Sequence, residues 1–336
     1  MDVAELERTI RLNKIFMPHA MRQREETSSR QTNKLTGEAP KAFRFAHYTT
    51  AEAALNIMRT KRLWMRNTTC MADYREVQHG FDILKSFFDP TKTAEFAAAL
   101  DACVPGAAME AITKFNGWWE QHLPFSIFVA SMSEHSEKEN VHGRLSMWRA
   151  FGASSTRVAI IIEIPRYTDS AQALGLMFSP VAYLTKDQVH ELIREVISNA
   201  SNECLFLQSL DRTLVVNYIF YMLLAGVACL KHEGFQEEQE WRAIYAPQIN
   251  ASPLMQVGVE SVSGVPQHVY KIPLDRTVSP AIAELDISQL LHHVIIGPSP
   301  YPWVVYQAFV DELAKAGIAN AAGKVFISDI PIRPGY

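Results

Sequence analysis

The chain has 336 residues, a formal charge of −4, 48% hydrophobic and 20% charged residues. That is ample material for a buried core, in one large domain or two ordinary ones. It excludes the strongly basic balance behind broad nucleic-acid binding, though a local basic groove stays compatible with it. Four cysteines, Cys70, Cys103, Cys204 and Cys229, form no C-x-x-C pair. Four reduced, largely buried thiols are therefore expected, and no zinc site. The acidic start, Met1 to Glu7, lacks the positive charge and apolar run of an export signal, so a cytoplasmic protein is expected. The most apolar stretch, 214–230, is interrupted by Asn217 and flanked by Asp211, Arg212, Lys231 and His232. It is shorter than the roughly 20 apolar residues of a membrane span, so it reads as a core helix, and no membrane partner is expected.

Residues 3–16 place Val3, Leu6, Ile10, Leu12, Ile15 and Phe16 near helical spacing, which predicts an amphipathic helix in need of a cover. Residues 22–40 are polar and read as a mobile linker. The expected division is thus 1–42, an amphipathic helix and polar linker able to dock on the body or to form a homodimer, and 43–336, a single domain. Phe43 to Tyr48 reads as a strand. Thr49 and Glu52 have the spacing of a capping box for the following helix. Residues 63–66 form a short strand, and Asp73 with Glu76 opens a second helix. Helices at about 94–103 and 107–121 make a helical insertion over about 90–121. Strands follow at 125–133, 158–164 and 178–184, with a polar loop at 134–144 and a short helix from Leu145. Helices 186–200 and 211–232 precede strands 239–246, 268–273 and 293–297, helix 301–316 and strand 324–329. Strands and helices mix without regular alternation. The pattern predicts an α+β fold with a mixed, mostly antiparallel central sheet and helices around it.

No glycine-rich phosphate loop, G-x-S-x-G or H-E-x-x-H occurs. His292 and His293 are adjacent, so on a regular strand they face opposite sides, and no metal site is expected. Three segments carry possible chemistry. In the first, His47 ends an apolar strand just before a helix N-terminus, a place where ligands are held; the plain alternative is that His47 caps the sheet and Tyr48 fills the core. In the second, Glu238, Glu240 and Arg242 share one strand face and Trp241, Ala243 and Tyr245 the other. This ridge is either a solvated edge with an ion pair or a carboxylate aimed into a cleft. In the third, Ser131-Met132-Ser133 closes a strand, and Trp148 and Arg149 follow the polar loop. Those two can hold a ring or an anion, or pack a helix on a sheet, with the loop as a lid.

In order along the chain, His47-Tyr48-Thr49, Leu63-Trp64-Met65-Arg66-Asn67-Thr68, Asp73 with Glu76, Ser131-Met132-Ser133, Met147 to Gly152 and Phe235 to Arg242 resemble the bacterial domain of unknown function 2971 family. The resemblance spans roughly residues 43–300. It departs from the family at Met71-Ala72-Asp73-Tyr74, where Asn-Asp-Pro is usual. The opening motif is similar to that of ADP-ribosyltransferases of the poly-ADP-ribose polymerase and DNA-modifying toxin type. This resemblance implies an ADP-ribosyltransferase-like sheet and NAD as substrate. It implies that His47 holds the adenosine ribose and the nicotinamide amide, with Tyr48, Thr49, Ser131, Ser133 and Trp148 around the cofactor. Arg66 or Arg149 would meet the pyrophosphate, and Tyr48 or Tyr183 would stack on nicotinamide. Glu240, with Glu238 as the alternative, would be the carboxylate facing the nicotinamide ribose, where positive charge develops as the glycosidic bond breaks. The expected activity is transfer of ADP-ribose to a protein or nucleic-acid acceptor, or hydrolysis of NAD, in a toxin or phage-defence effector. The alternative is a non-catalytic binding or regulatory module on the same scaffold.

Overall fold

The computed structural model describes residues 2–33, 36–71, 76–88, 90–122, 126–150, 156–166, 168–262 and 264–331. The chain divides into two compact units, each assembled from separated stretches. The helical unit takes Met1–Glu25, Asn67–Ile127 and Ser179–Gln236; the sheet unit takes Glu26–Arg66, Phe128–Phe178 and Glu237–Tyr336. This differs from an N-terminal arm followed by one domain.

In chain order the strands are β1 (Ala42–Thr50), β2 (Arg62–Asn67), β3 (Phe128–Glu134), β4 (Arg157–Pro165), β5 (Leu176–Pro180), β6 (Ala182–Tyr183), β7 (Leu230–Lys231), β8 (Glu240–Tyr245), β9 (Gln256–Val262), β10 (Val265–Pro273), β11 (Leu291–Ile296) and β12 (Val325–Ile327). The helices are α1 (Val3–Phe16), α2 (Pro18–Arg30), α3 (Ala51–Thr60), α4 (Glu76–Phe87), α5 (Pro90–Asp101), α6 (Ala107–His122), α7 (Leu145–Ala150), α8 (Ser170–Ala173), α9 (Lys186–Asn202), α10 (Cys204–Gln208), α11 (Arg212–Ala228), α12 (Ile287–Leu290) and α13 (Pro302–Lys315).

The fold is mixed α and β with a mostly antiparallel sheet. Its order is β12-β11-β4-β1-β3-β2-β10-β9, with β8 pairing β3 and β5. β11 and β12 run parallel, whereas β1–β4, β1–β3, β3–β8, β2–β10, β9–β10 and β4–β11 are antiparallel. β4 reads Val158 to Ile162 without a polar residue and is buried on both faces. One face carries the larger core, including Phe45, Met58, Met132, Ile160, Trp241 and Phe309. The other carries a smaller cluster of Ala46, Tyr48, Met147, Trp148, Ala159, Ile161 and Ile295. Among the described residues no helix is long and apolar enough to cross a membrane. α11 is apolar on all sides and packs among α1, α4 and α6 inside the helical unit.

Several expectations change. The polar run after residue 22 is α2 as far as Arg30. Its last turn grips the sheet: Thr27 Oγ1 donates to Glu134 at 2.9 Å, and Arg30 Nε and Nη2 both donate to it at 2.8 Å. A carboxylate 5% exposed requires such partners, and the polar segment supplies them. The apolar face of α1, offered above to a second subunit, buries Leu12, Ile15 and Phe16 against α9 and α11 of its own chain. Cys103 and Cys204 form a disulfide, which replaces two of the four expected thiols. The cap of α3 is Thr50, not Thr49, because β1 stays paired with β4 as far as Thr50↔Arg157. β9 and the short β7 are additions, the strand expected at 178–184 divides into β5 and β6, and the helix opening expected at Asp73 lies outside the described residues.

Candidate functional site

The site grows out of register. β3 pairs β8 with Ser133 opposite Glu240 and Ser131 opposite Arg242. β1 pairs β3 with Ala46 opposite Ser133, and β4 with Tyr48 opposite Ala159. Directly paired residues share a face. Ser131, Ser133, Glu240, Arg242 and Tyr48 therefore stand on the face of the smaller cluster, beside Trp148. Glu240 and Arg242 are 6% and 2% exposed. They form a bidentate pair, Nε to Oε1 at 2.8 Å and Nη2 to Oε2 at 3.0 Å. Ser133 Oγ reaches Met147 Sδ at 3.8 Å, and Ser131 Oγ is buried with no hydrogen-bond partner among the described residues.

Above this face, Tyr48 and Trp148 meet edge to face at 4.9 Å. Trp148 Nε1 donates to the His142 carbonyl at 2.8 Å. The Tyr48 hydroxyl accepts the Arg144 amide at 2.8 Å, and burial pushes its phenol above the ordinary range. The Arg144 guanidinium donates to the carbonyls of Glu134, Glu237 and Glu238, to the Gln239 side chain and to Glu139. The 134–144 loop, expected as a lid, is thus fastened to the segment entering β8. Sequence reading passed over Arg144; its placement directly after Gly143, which has φ of 67°, is the local signal of a constrained turn.

His47 behaves differently. It pairs with Ile160 of the larger core, so alternation directs it away from the Glu240 face. The β1–β3 ladder stops at Ala46↔Ser133, and at that point His47 Nδ1 lies 2.9 Å from the Ser131 carbonyl. A carbonyl only accepts, so Nδ1 carries the proton. Burial lowers the imidazole's pKa and the hydrogen bond opposes this, which leaves a neutral ring holding the parting strands. His47 and Glu240 are separated by β3, two strand spacings or about 10 Å.

The other candidates scatter. Thr49 pairs with Val158 on the His47 side. Arg149 is exposed on α7. Arg66 Nε donates to Gln267 of β10 at 3.2 Å. Tyr183 is on β6 in the other unit. Glu238 does not share the Glu240 face by alternation: it ends a 3-10 turn, and Gln239 at φ 45° redirects the chain before β8 begins. Phe151 and Gly152 of the third segment lie outside the described residues. His292 and His293 do not face opposite sides either. A register shift between Leu291 and His293 brings their Nδ1 atoms to 2.5 Å. Among the described residues no group of three or more His, Cys, Asp or Glu side chains is arranged to hold a metal.

The fold and this face define a mixed α/β protein with a buried serine, carboxylate and guanidinium row on its central sheet. Residues 147–243 match the model of a family described as protein of unknown function (DUF2971), which supports the family resemblance drawn from the motifs. The matched stretch holds Trp148, Glu240 and Arg242. Comparison with curated proteins gives no match, and comparison with solved structures gives none.

Proposed function

We propose that the sheet unit binds NAD on the Tyr48 face of β1, β3 and β8 and acts as an ADP-ribosyltransferase-like enzyme or NAD glycohydrolase. The observation that carries the reading is the register placing Ser131, Ser133, Glu240 and Arg242 on one buried face beside Tyr48. In the step proposed, the C1′–nitrogen bond of the nicotinamide ribose breaks and its electron pair leaves with nicotinamide. A hydroxyl or amine of a macromolecular acceptor, or water, bonds to C1′ and gives up its proton. Glu240 faces the developing positive charge and accepts that proton. Ser131 Oγ and Ser133 Oγ offer hydrogen bonds to the ribose or the amide. His47 supports the site from behind by tying β1 to Ser131, rather than by touching the same ligand face. A toxin or defence effector is the setting in which such an activity would act.

The test is incubation of the full chain with NAD and chromatography of released nicotinamide. Glu240→Gln is expected to lower release by about a hundredfold or more. Equal release by wild type and variant would sink the assignment. A second reading, a non-catalytic NAD-binding module, is favoured by one feature: both Glu240 oxygens are already engaged by Arg242. Saturable NAD binding with no nicotinamide released by the wild type would select it.

A further inference from the structure

β2 carries Arg62, Trp64 and Arg66 at alternate positions, so all three stand on one side of the strand. Leu63 and Met65 between them are buried in the larger core, which places the Arg62–Trp64–Arg66 row on the side turned away from it. Lys271 of β10 is the cross-strand partner of Trp64, and Gln256 of β9 is the partner of Lys271. With Asn56 and Thr60 of α3 and with Glu260 of β9, these side chains line a polar cleft. Its floor is aromatic: Lys271 Nζ lies 5.2 Å from the centre of the Trp64 ring. Its wall holds an unused donor, because Arg62 Nη1 is buried and meets no hydrogen-bond partner among the described residues. Glu260 pairs with Lys271 at 2.5 Å, so a ligand enters by exchange: a base takes the ammonium's place on the ring and a phosphate takes the carboxylate's place on the ammonium.

The geometry points to a binding site for a nucleoside phosphate in this cleft. The base stacks on Trp64, the phosphate meets Arg62 and Lys271, and the sugar hydroxyls reach Glu260. The amides of Asn56 and Gln256 border the base. Ring-on-base contact flanked by cations on a sheet surface is the way single strands are held without dependence on sequence. Two cations, one of them paired with Glu260, within a chain of net charge −4 limit the footprint to one or two nucleotides and give a shallow salt dependence. The cleft uses none of Ser131, Ser133, Glu240 or Arg242, so it stands whether or not the activity proposed above is found.

The test is calorimetric titration of the full chain with adenosine monophosphate and, separately, with a ten-residue single-stranded oligoadenylate. Saturable binding of one ligand per chain is expected. Trp64→Ala and Arg62→Gln should each weaken it about tenfold or more, while Trp64→Phe, which keeps a stacking ring, should stay within about threefold. Trp64→Ala and Arg62→Gln should leave any nicotinamide release from NAD as in the wild type, which separates this cleft from the proposed NAD face. A tighter oligonucleotide assigns the cleft to strands, and equal affinities assign it to free nucleotides. No saturable binding of either probe, or binding indifferent to both substitutions, overturns the proposal. Should Trp64→Ala fail to fold, Arg62→Gln, on a half-exposed side chain, decides alone.

Discussion

The two units bury their interiors by different means. The helical unit is held mainly by apolar surface and a covalent tie, with Lys231 its one buried charged side chain among the described residues. α11 has no polar side, and a pocket in this unit is lined by Phe16, Leu84, Val189, Ile193, Met222 and Leu223. The Cys103–Cys204 bridge joins points 101 residues apart in the chain. The sheet unit instead buries Glu134, His135, Glu240, Arg242 and His293 within its apolar layers. Polar groups at such depth destabilise a fold unless each finds a partner, and clusters of buried ionisable groups are where candidate sites are sought.

The sharpest way to break this contrast is to damage one unit and watch the other by hydrogen exchange. Trp241 packs on Phe45 and Phe178, each at 5.2 Å, and on Phe43 at 6.0 Å. Trp241→Ala should lower the stability of β1 and β4 by about 4 kcal/mol. If α11 loses protection to the same degree, the units are one cooperative body and the contrast fails. Next in size, reduction of Cys103–Cys204 should cost α5, α9 and α10 about 3 kcal/mol in protection while β4 stays unchanged. Equal protection with and without reductant would remove the bridge from the account.

The third prediction concerns acid. Burial lowers His135 to about 4 and His293 to about 3, and for His293 the neighbouring imidazoles of His292 and His135 add to the effect. Their rings lie 5.7 Å apart. Both are neutral when folded, whereas an unfolded imidazole takes a proton near pH 6.5. The stability they allow is therefore complete above about pH 6.5 and is lost as pH falls from there toward 4. Between pH 6.5 and 5 the sheet unit should lose up to about 2 kcal/mol per imidazole. Denaturant midpoints measured across that range in wild type and His293→Phe should diverge, and parallel curves would refute the assignment. The smallest effect tests local structure. Thr50 Oγ1 accepts the Ala53 amide at 3.1 Å, so Thr50→Ala should cost about 1 kcal/mol, and Thr49→Ala clearly less.

What could be read from the sequence follows the same line. The strands around Phe43–Tyr48, Val158–Ile164 and Glu240–Tyr245, and the Ser131, Ser133, Glu240 and Arg242 side chains, were legible because period-2 alternation and apolar runs mark buried strands directly. α2 was not, because it is polar throughout and rests on pairs made far along the chain, such as Arg22 with Glu195 and Arg30 with Glu134. β9 was missed because Val257 and Val259 point to solvent, so its alternation advertises no core. The site's weak link was His47. Motif order groups it with Ser131 and Ser133, but only register shows which face it serves. Glu238 was misread for a related reason: one left-handed residue, Gln239, cancels an alternation that the letters alone appear to guarantee.

The route of the chain through the sheet has a last consequence. The segment 68–127 leaves at the end of β2 and re-enters at β3, and 181–239 leaves after β5 and re-enters at β8; in both cases the strands on either side are neighbours. Thr68 N–H even bonds the Ile127 carbonyl at 3.0 Å. Each excursion is thus a long loop between neighbouring strands. Such loops lengthen or shorten at a closure cost that grows only slowly with length. A lineage could therefore rebuild the helical portion wholesale and leave β1, β3 and β8 in register, so that what the protein meets and what it does to it would diversify separately.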